Sequence, residues 1–208
     1  MRAELRSALV AAAVLGAFAL VGTAVVTFAE HSTRARIDDN ERTALLESLA
    51  LLVDPARYDN DLLTDTIEVT APAALGTTEP VTVYRARRDG APVALVLTAV
   101  APDGYSGPIE LLVGVNADGT VAGVRVLAHR ETPGLGDPIE ASRSDWVLAF
   151  AGRSLGDPPP AGWTVRRDGG AFDQFTGATI TPRAVVHAVR RALEYVGANQ
   201  EALYARRD

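Results

Sequence analysis

Cysteine is absent from the 208 residues, and so is lysine. Without cysteine there is no disulfide, no thiolate ligand for an iron–sulfur cluster, no thiol nucleophile and no lipoprotein anchor. The same absence fits an oxidising compartment. Without lysine there is no phosphate-loop lysine, no Schiff base and no lysine general base, so every cationic side chain is an arginine. Histidine occurs only at His31, His129 and His187, too sparsely for a zinc site. Aromatics make up only 6% of the chain, and the net charge of −6 gives no expectation of nucleic-acid binding.

One long stretch lacks charge altogether. From Ser7 to Ala29 the run SALVAAAVLGAFALVGTAVVTFA carries no ionisable residue, and roughly 20 apolar residues suffice to cross a bilayer as a helix. A cleaved signal peptide is the competing reading, with Thr27 and Ala29 small enough for a cleavage site, but its apolar core is usually only about 7–15 residues. The length favours an uncleaved anchor. Arg2 and Arg6 precede it while Glu30 and His31 follow, which points to a cytoplasmic N-terminus; Arg34 and Arg36 blunt the asymmetry.

Beyond the anchor, Leu45, Leu46, Leu49 and Leu52 are spaced as one face of a helix that Pro55 limits. From about Glu79 the period changes to two: VTVYRA, PVALVLTAV, IELLVGV and TVAGVRVLAH read as strands, with NADG (Asn116–Gly119) as a hairpin turn. SRSDWVLAF reads as a short helix capped by Ser142 or Ser144, GDPPPAG as a loop and WTV as a short strand. The last helix is expected to start with Thr181 as N-cap and Pro182 at its first position, burying Val185, Val189, Ala192 and Val196. Arg183, Arg190, Arg191 and Glu194 face elsewhere. The class is α+β: a single N-terminal transmembrane helix followed by a mixed α+β domain. The expected division is a stub and anchor at 1–30, a helical packing region at 31–78 and the main domain at 79–208.

The chemistry concentrates just before that last helix, in DQFTGATITPRAVV. A helix N-terminus offers unpaired N–H groups and the positive end of a dipole. Gly177 and Ala178 let backbone amides approach an anion, and Thr176 and Thr179 bring hydroxyls. Two readings stand on these residues alone: a well-capped loop, or a phosphate attachment point. HRETPGLG is similarly open. His129 and Glu131, two apart on a strand end, face the same way, yet no third metal ligand is in prospect, and a Pro-Gly turn accounts for the segment equally. In GYSG, Tyr105, Ser106 and Gly107 form either a turn near the site or, for Tyr105, part of the core. Trp146 reads as a core anchor on an amphipathic element.

Asp173, Thr176, Gly177, Ala178 and Thr179 fill the pattern Asp-x-x-Ser/Thr-Gly-Ala-Thr, which resembles the flavinylation motif of bacterial proteins carrying FMN as a phosphoester on threonine. APDGYSGPIELLVGV, HRETPGLGDPIE, SDWVLAFAG and DGGAFDQFTGATITPRAVV extend the likeness. Together they resemble the family of G subunits of Rnf (Rsx) electron transport complexes, related to the C subunit of the sodium-pumping NADH:quinone oxidoreductase. The resemblance implies that Thr179 carries FMN covalently, installed by a flavin transferase from FAD, with Asp173 in the sequence that enzyme recognises. It implies that Thr176, Gly177 and Ala178 shape the phosphate seat, and that Glu131, Thr132 and Leu135 contact the flavin. It implies no catalytic residue in the usual sense and no metal. The chain would be a redox subunit of an ion-translocating oxidoreductase, incomplete as an enzyme alone. It would work with integral-membrane subunits, between ferredoxin and NAD, at the bacterial inner membrane with its large domain on the periplasmic face. A non-redox, membrane-tethered envelope scaffold or binding module is the alternative.

Overall fold

The computed structural model describes residues 2–205. In the first helix the side chains at 2–5, 7–8, 10–13, 29, 31–32 and 34–41 lie outside that description, and with them Arg2, Ser7, Ala29, His31, Arg34 and Arg36. The chain divides into two compact units, Met1–Glu47 and Ser48–Asp208.

Helix α1 runs from Arg2 to Ala50 without a break, so the leucine-spaced segment is the continuation of the first helix and not a separate one. Nothing in the sequence around position 30 breaks a helix, since neither proline nor glycine occurs between Thr23 and Asp54. Of the expected stripe, Leu49 and Leu52 are buried, Leu45 is half-buried and Leu46 is exposed. Among the described residues no helix is long and apolar enough to cross a membrane. From Val14 to Phe28, however, every described side chain is exposed, including Leu15, Phe18, Leu20, Val21, Val25 and Phe28.

The second unit is built on a five-stranded antiparallel meander in the order β1-β2-β3-β4-β5. The strands are β1 (Thr66–Val69), β2 (Val81–Arg88), β3 (Ala91–Ala101), β4 (Ile109–Asn116) and β5 (Val121–Ala128). The valine-rich runs form β2 to β5. β1 gives no sequence signal because it is only TIEV, too short to display a period. The β2–β3 hairpin turns on Asp89 and Gly90, both at positive φ (51° and 79°), as a two-residue turn between right-twisted strands requires. NADG does lie between β4 and β5.

A short helix α2 (Pro72–Leu75) and the long α3 (Ile180–Tyr204) complete the unit. α3 packs against α2, β3 and β4. Its Val185, Val189, Ala192 and Val196 enter one apolar cluster with Leu95, Leu97 and Ala99 of β3 and Leu111, Val113 and Val115 of β4. Leu52 is seated over Gly114 and Gly123, which face each other across β4 and β5. A Cβ on Gly123 would come within 2.9 Å of Leu52 Cδ2, so the close approach depends on bare backbone.

Between β5 and α3 the chain forms short 3₁₀ turns. SRSDWVLAF contains one of them, Trp146–Phe150, tighter and shorter than the expected helix. Neither Ser142 nor Ser144 is the N-cap. That position falls on Asp145, which makes no side-chain capping bond, while Ser144 Oγ, one residue earlier, accepts from the Trp146 N–H at 3.2 Å and donates to Pro138 O at 2.6 Å. WTV is not a strand; Val165 makes only an isolated bridge to Phe172. The segment is held by side chains instead, in an aromatic cluster of Trp146, Phe150, Trp163, Phe172 and Phe175 with ring centroids 4.7–6.4 Å apart in successive pairs. Trp146 is half-buried there, and its Nε1–H donates to Asp173 O at 2.7 Å, fastening the start of the threonine loop.

Candidate functional site

Three loops converge at the N-terminus of α3: the β3–β4 connection at Gly104–Gly107, the segment Glu131–Gly136 after β5, and the threonine loop 173–179. They enclose a cavity of about 510 Å³, a size ordinary for a cofactor site.

The threonine loop is a tight turn closed by the Ala178 N–H donating to Phe175 O at 3.1 Å. Gly177 sits at its third position with φ +81°, where a side chain strains the backbone. The turn sets Gly177, Ala178 and Thr179 along the cavity wall and leaves Thr176 exposed outside it. Asp173 is also outside, exposed and paired with Arg166 at 2.8 Å.

Thr179, rather than Thr181, is the N-cap residue of α3. It has helical φ and ψ (−87°, −28°), and its side chain makes no capping bond. Its Oγ instead accepts a long contact from Arg167 Nη1 at 3.4 Å. Thr181 lies inside the first turn, only 1% exposed, and its hydroxyl donates to Glu131 Oε2. The helix begins at Ile180, one position before Thr181, and the Thr181 hydroxyl is taken up by a carboxylate distant in the sequence.

Glu131 is 4% exposed. Its second oxygen accepts from the Ser106 N–H at 2.9 Å, so one carboxylate ties the β3–β4 connection and the first turn of α3 to the segment after β5. The neighbouring Thr132 and Leu135 line the same cavity, and Leu135 is partly exposed in its wall. His129 and Glu131 do not form a side-by-side ligand pair. His129 Nδ1 accepts from the Glu131 backbone N–H at 3.0 Å, and its Nε2 meets Glu140 at 2.6 Å. That hydrogen bond holds the Glu140 carboxyl below its usual range. Among the described residues no three His, Asp or Glu side chains are grouped to hold a metal.

Tyr105 is exposed at the cavity and is not core. Ile180 and Arg167 also line the wall, two positions that no sequence pattern singles out as functional. Arg167 has a faint signal, the Arg166-Arg167 pair shortly before the motif. Only the 3₁₀ turn at Arg166–Asp168 reveals which of the two faces inward.

The cavity therefore has two characters. One part presents a threonine hydroxyl and a guanidinium beside small residues at a helix N-terminus, the chemistry a phosphate requires. The rest presents Tyr105, Leu135 and Ile180, surfaces suited to a flat, largely apolar ring. The residues present fit FMN.

Comparison with known proteins agrees in kind. Residues 104–194 match the model of the FMN-binding domain, and residues 1–52 that of the RnfG N-terminal region. The chain is similar to the G subunit of the ion-translocating oxidoreductase complex of Pseudomonas aeruginosa (strain UCBPP-PA14), 53% identical over 204 residues that cover 98% of this chain and 94% of the relative. It is similar also to the G subunit from Pseudoalteromonas atlantica, 47% identical over 92% of this chain and 89% of that one. For the Vibrio atlanticus relative the figures are 46%, 92% and 91%.

Proposed function

The chain belongs to the family of G subunits of ion-translocating oxidoreductase complexes, and from that premise we propose that it is an FMN-bearing electron carrier within such a complex. The flavin is joined to Thr179 by a phosphoester. The observation that supports this reading above all is the position of Thr179, on the wall of an FMN-sized cavity with its hydroxyl not engaged in capping.

When bound, FMN supplies the electron-transfer chemistry. The chain's own residues hold and orient it. Gly177 and Ala178 leave room for the phosphate beside the α3 N-terminus; Glu131, Thr132 and Leu135, with Tyr105, border the space for the ring. Asp173 and Thr176, exposed outside the cavity wall, are accessible to a maturation enzyme. A threonine hydroxyl is a weak nucleophile unaided, and a flavin transferase acting on FAD is the partner that this weakness calls for.

The Ser7–Ala29 run is the single-pass anchor in the bacterial inner membrane. Support comes from α1, whose described side chains from Val14 to Phe28 are apolar or small and exposed on every face, a pattern suited to lipid. The N-terminus lies in the cytoplasm, and the compact unit Ser48–Asp208, which takes in β1 and α2 together with residues 79–208, stands on the periplasmic face beside integral-membrane subunits. Electrons pass through it between ferredoxin and NAD as ions move.

The test is expression of wild type and Thr179→Ala beside an active flavin transferase, read by fluorescence of the denatured band and by intact mass. Wild type is expected to fluoresce and to be heavier by FMN less one water, with both signals lost in the variant. A dark wild-type band, with the transferase active on a control protein, overturns the reading and favours the envelope scaffold.

A further inference from the structure

We propose that Arg167 is the counter-ion of the flavin phosphate, and so the residue by which this site tells a phosphorylated flavin from an unphosphorylated one. The proposal deepens the reading above and rests on it.

Arg167 lies in the middle of the 3₁₀ turn Arg166–Asp168. Each of the three residues is charged, and two are already matched. Arg166 pairs with Asp173 at 2.8 Å, and Asp168 takes two bonds from Arg183, at 2.5 and 3.0 Å. Arg167 is different. Among the described residues its guanidinium has no carboxylate within salt-bridge distance, and its side-chain contact is the Thr179 hydroxyl at 3.4 Å. Its backbone N–H donates to Gln174 Oε1 at 3.2 Å, which fixes the turn to the threonine loop and aims the side chain across it.

Within the cavity wall, the charged side chains are Arg167 and Glu131. Glu131 is committed to Ser106 and Thr181, which leaves Arg167 as the positive group facing the space around Thr179 Oγ. A phosphoester joined at that oxygen places its anionic oxygens just beyond the atom that Arg167 already touches. A planar guanidinium suits two phosphate oxygens at once, and in a chain with no lysine it is the side chain that can supply a permanent positive charge. The contact at 3.4 Å is at the outer limit of a hydrogen bond, as expected of a donor whose proper acceptor lies slightly further on.

The experiment uses the full chain in detergent, produced without transferase, and titrates it with FMN and with riboflavin while following flavin fluorescence. Wild type is expected to prefer FMN by about tenfold, the worth of one charge-assisted pair, and the preference is expected to shrink with added salt. Arg167→Gln is expected to lose most of the preference, Arg167→Lys to keep more of it, and Arg190→Gln, outside the cavity, to behave as wild type. Unchanged melting of the unloaded Arg167→Gln protein separates lost pairing from misfolding. Equal or absent binding of the two flavins by wild type, or an undiminished preference in Arg167→Gln, overturns the proposal. Covalent loading of wild type, read by intact mass, distinguishes that outcome from failure of the carrier reading itself: a loaded wild type with an indifferent Arg167 leaves Thr179 in its role and removes Arg167 from the site.

Discussion

Glu131 is the residue on which the site's shape depends most. It is buried, and it is the common acceptor for the Ser106 N–H and the Thr181 hydroxyl. Glu131→Ala leaves the buried Thr181 hydroxyl without its partner and releases the Ser106 N–H, at a cost of about 1–3 kcal/mol. For a chain of this size that lowers the melting temperature by roughly 2–12 °C. Glu131→Gln keeps an acceptor and a similar volume and is expected to lose less than half as much; thermal melts of the unloaded proteins check both. In the sequence Glu131 stands out through its family likeness, as a flavin contact, with no hint of its bracing role. That role joins positions 106, 131 and 181, which no local pattern connects. Thr181 shows the same limit from the other side. Threonine followed by proline is a sound capping signal, but the cap falls on Thr179 because a buried carboxylate competes for the Thr181 hydroxyl.

Among the elements, α3 illustrates what periodicity conveys and what it omits. Its buried stripe is legible from spacing alone, as are four of the five strands, because each is a local repeat imposed by one apolar core. The region from 129 to 179 is far less legible, since aromatic packing and 3₁₀ turns there leave no period. The far end of α3 is not legible either. There Arg85 and Arg87, buried on β2, pair with Asp65 at 2.6 and 2.8 Å and donate to the last carbonyls of the helix, Ala205 O at 2.7 Å and Tyr204 O at 2.6 Å. This arrangement caps the helix with positive charge at the negative end of its dipole. Tyr204 lies beneath Arg87, whose guanidinium is 5.6 Å from the ring centroid, and its buried hydroxyl has no partner among the described residues. Burial pushes the phenol up to about 12 from its ordinary 10, the Arg87 charge opposing only in part. A folded-state value raised above the unfolded one gives stability that is complete below pH 10 and is lost as pH rises towards 12. Tyr204→Phe, which removes the unpartnered hydroxyl, is therefore expected to be as stable as wild type or up to about 1 kcal/mol more stable at neutral pH. Its advantage should grow as the medium becomes alkaline enough to ionise the phenol, as urea midpoints measured at about pH 8 and about pH 11 would reveal. A constant difference across that range would mean that Tyr204 does not titrate out of a buried state.

At the scale of the whole molecule, the two compact units differ in what they expose. The unit Ser48–Asp208 encloses an apolar core and arranges many of its arginines in ion pairs, whereas α1 exposes Leu15, Phe18, Leu20, Val21 and Phe28 around its circumference. The stretch Ser7–Ala29 carries no charged residue, and a stretch without a polar face gains little from packing one side on a domain, which is what makes the proposed anchor worth testing. The anchor reading can be tested without disturbing the other unit. Phe18→Asp and Val21→Asp place two carboxylates near the middle of the uncharged run, each costing about 2.5–3.5 kcal/mol for membrane insertion. The double variant is expected to leave the carbonate-resistant membrane fraction while its Ser48–Asp208 unit melts at the wild-type temperature, because that unit keeps its own core. If the proposed anchor holds the chain beside membrane partners, flavin carried by the released protein should also cease to be reduced by the complex, even where intact mass shows the flavin retained. A variant that stays in the membrane fraction would show that the first helix is not what tethers the chain. Attachment would then have to come from contacts of the outer domain with the rest of the complex.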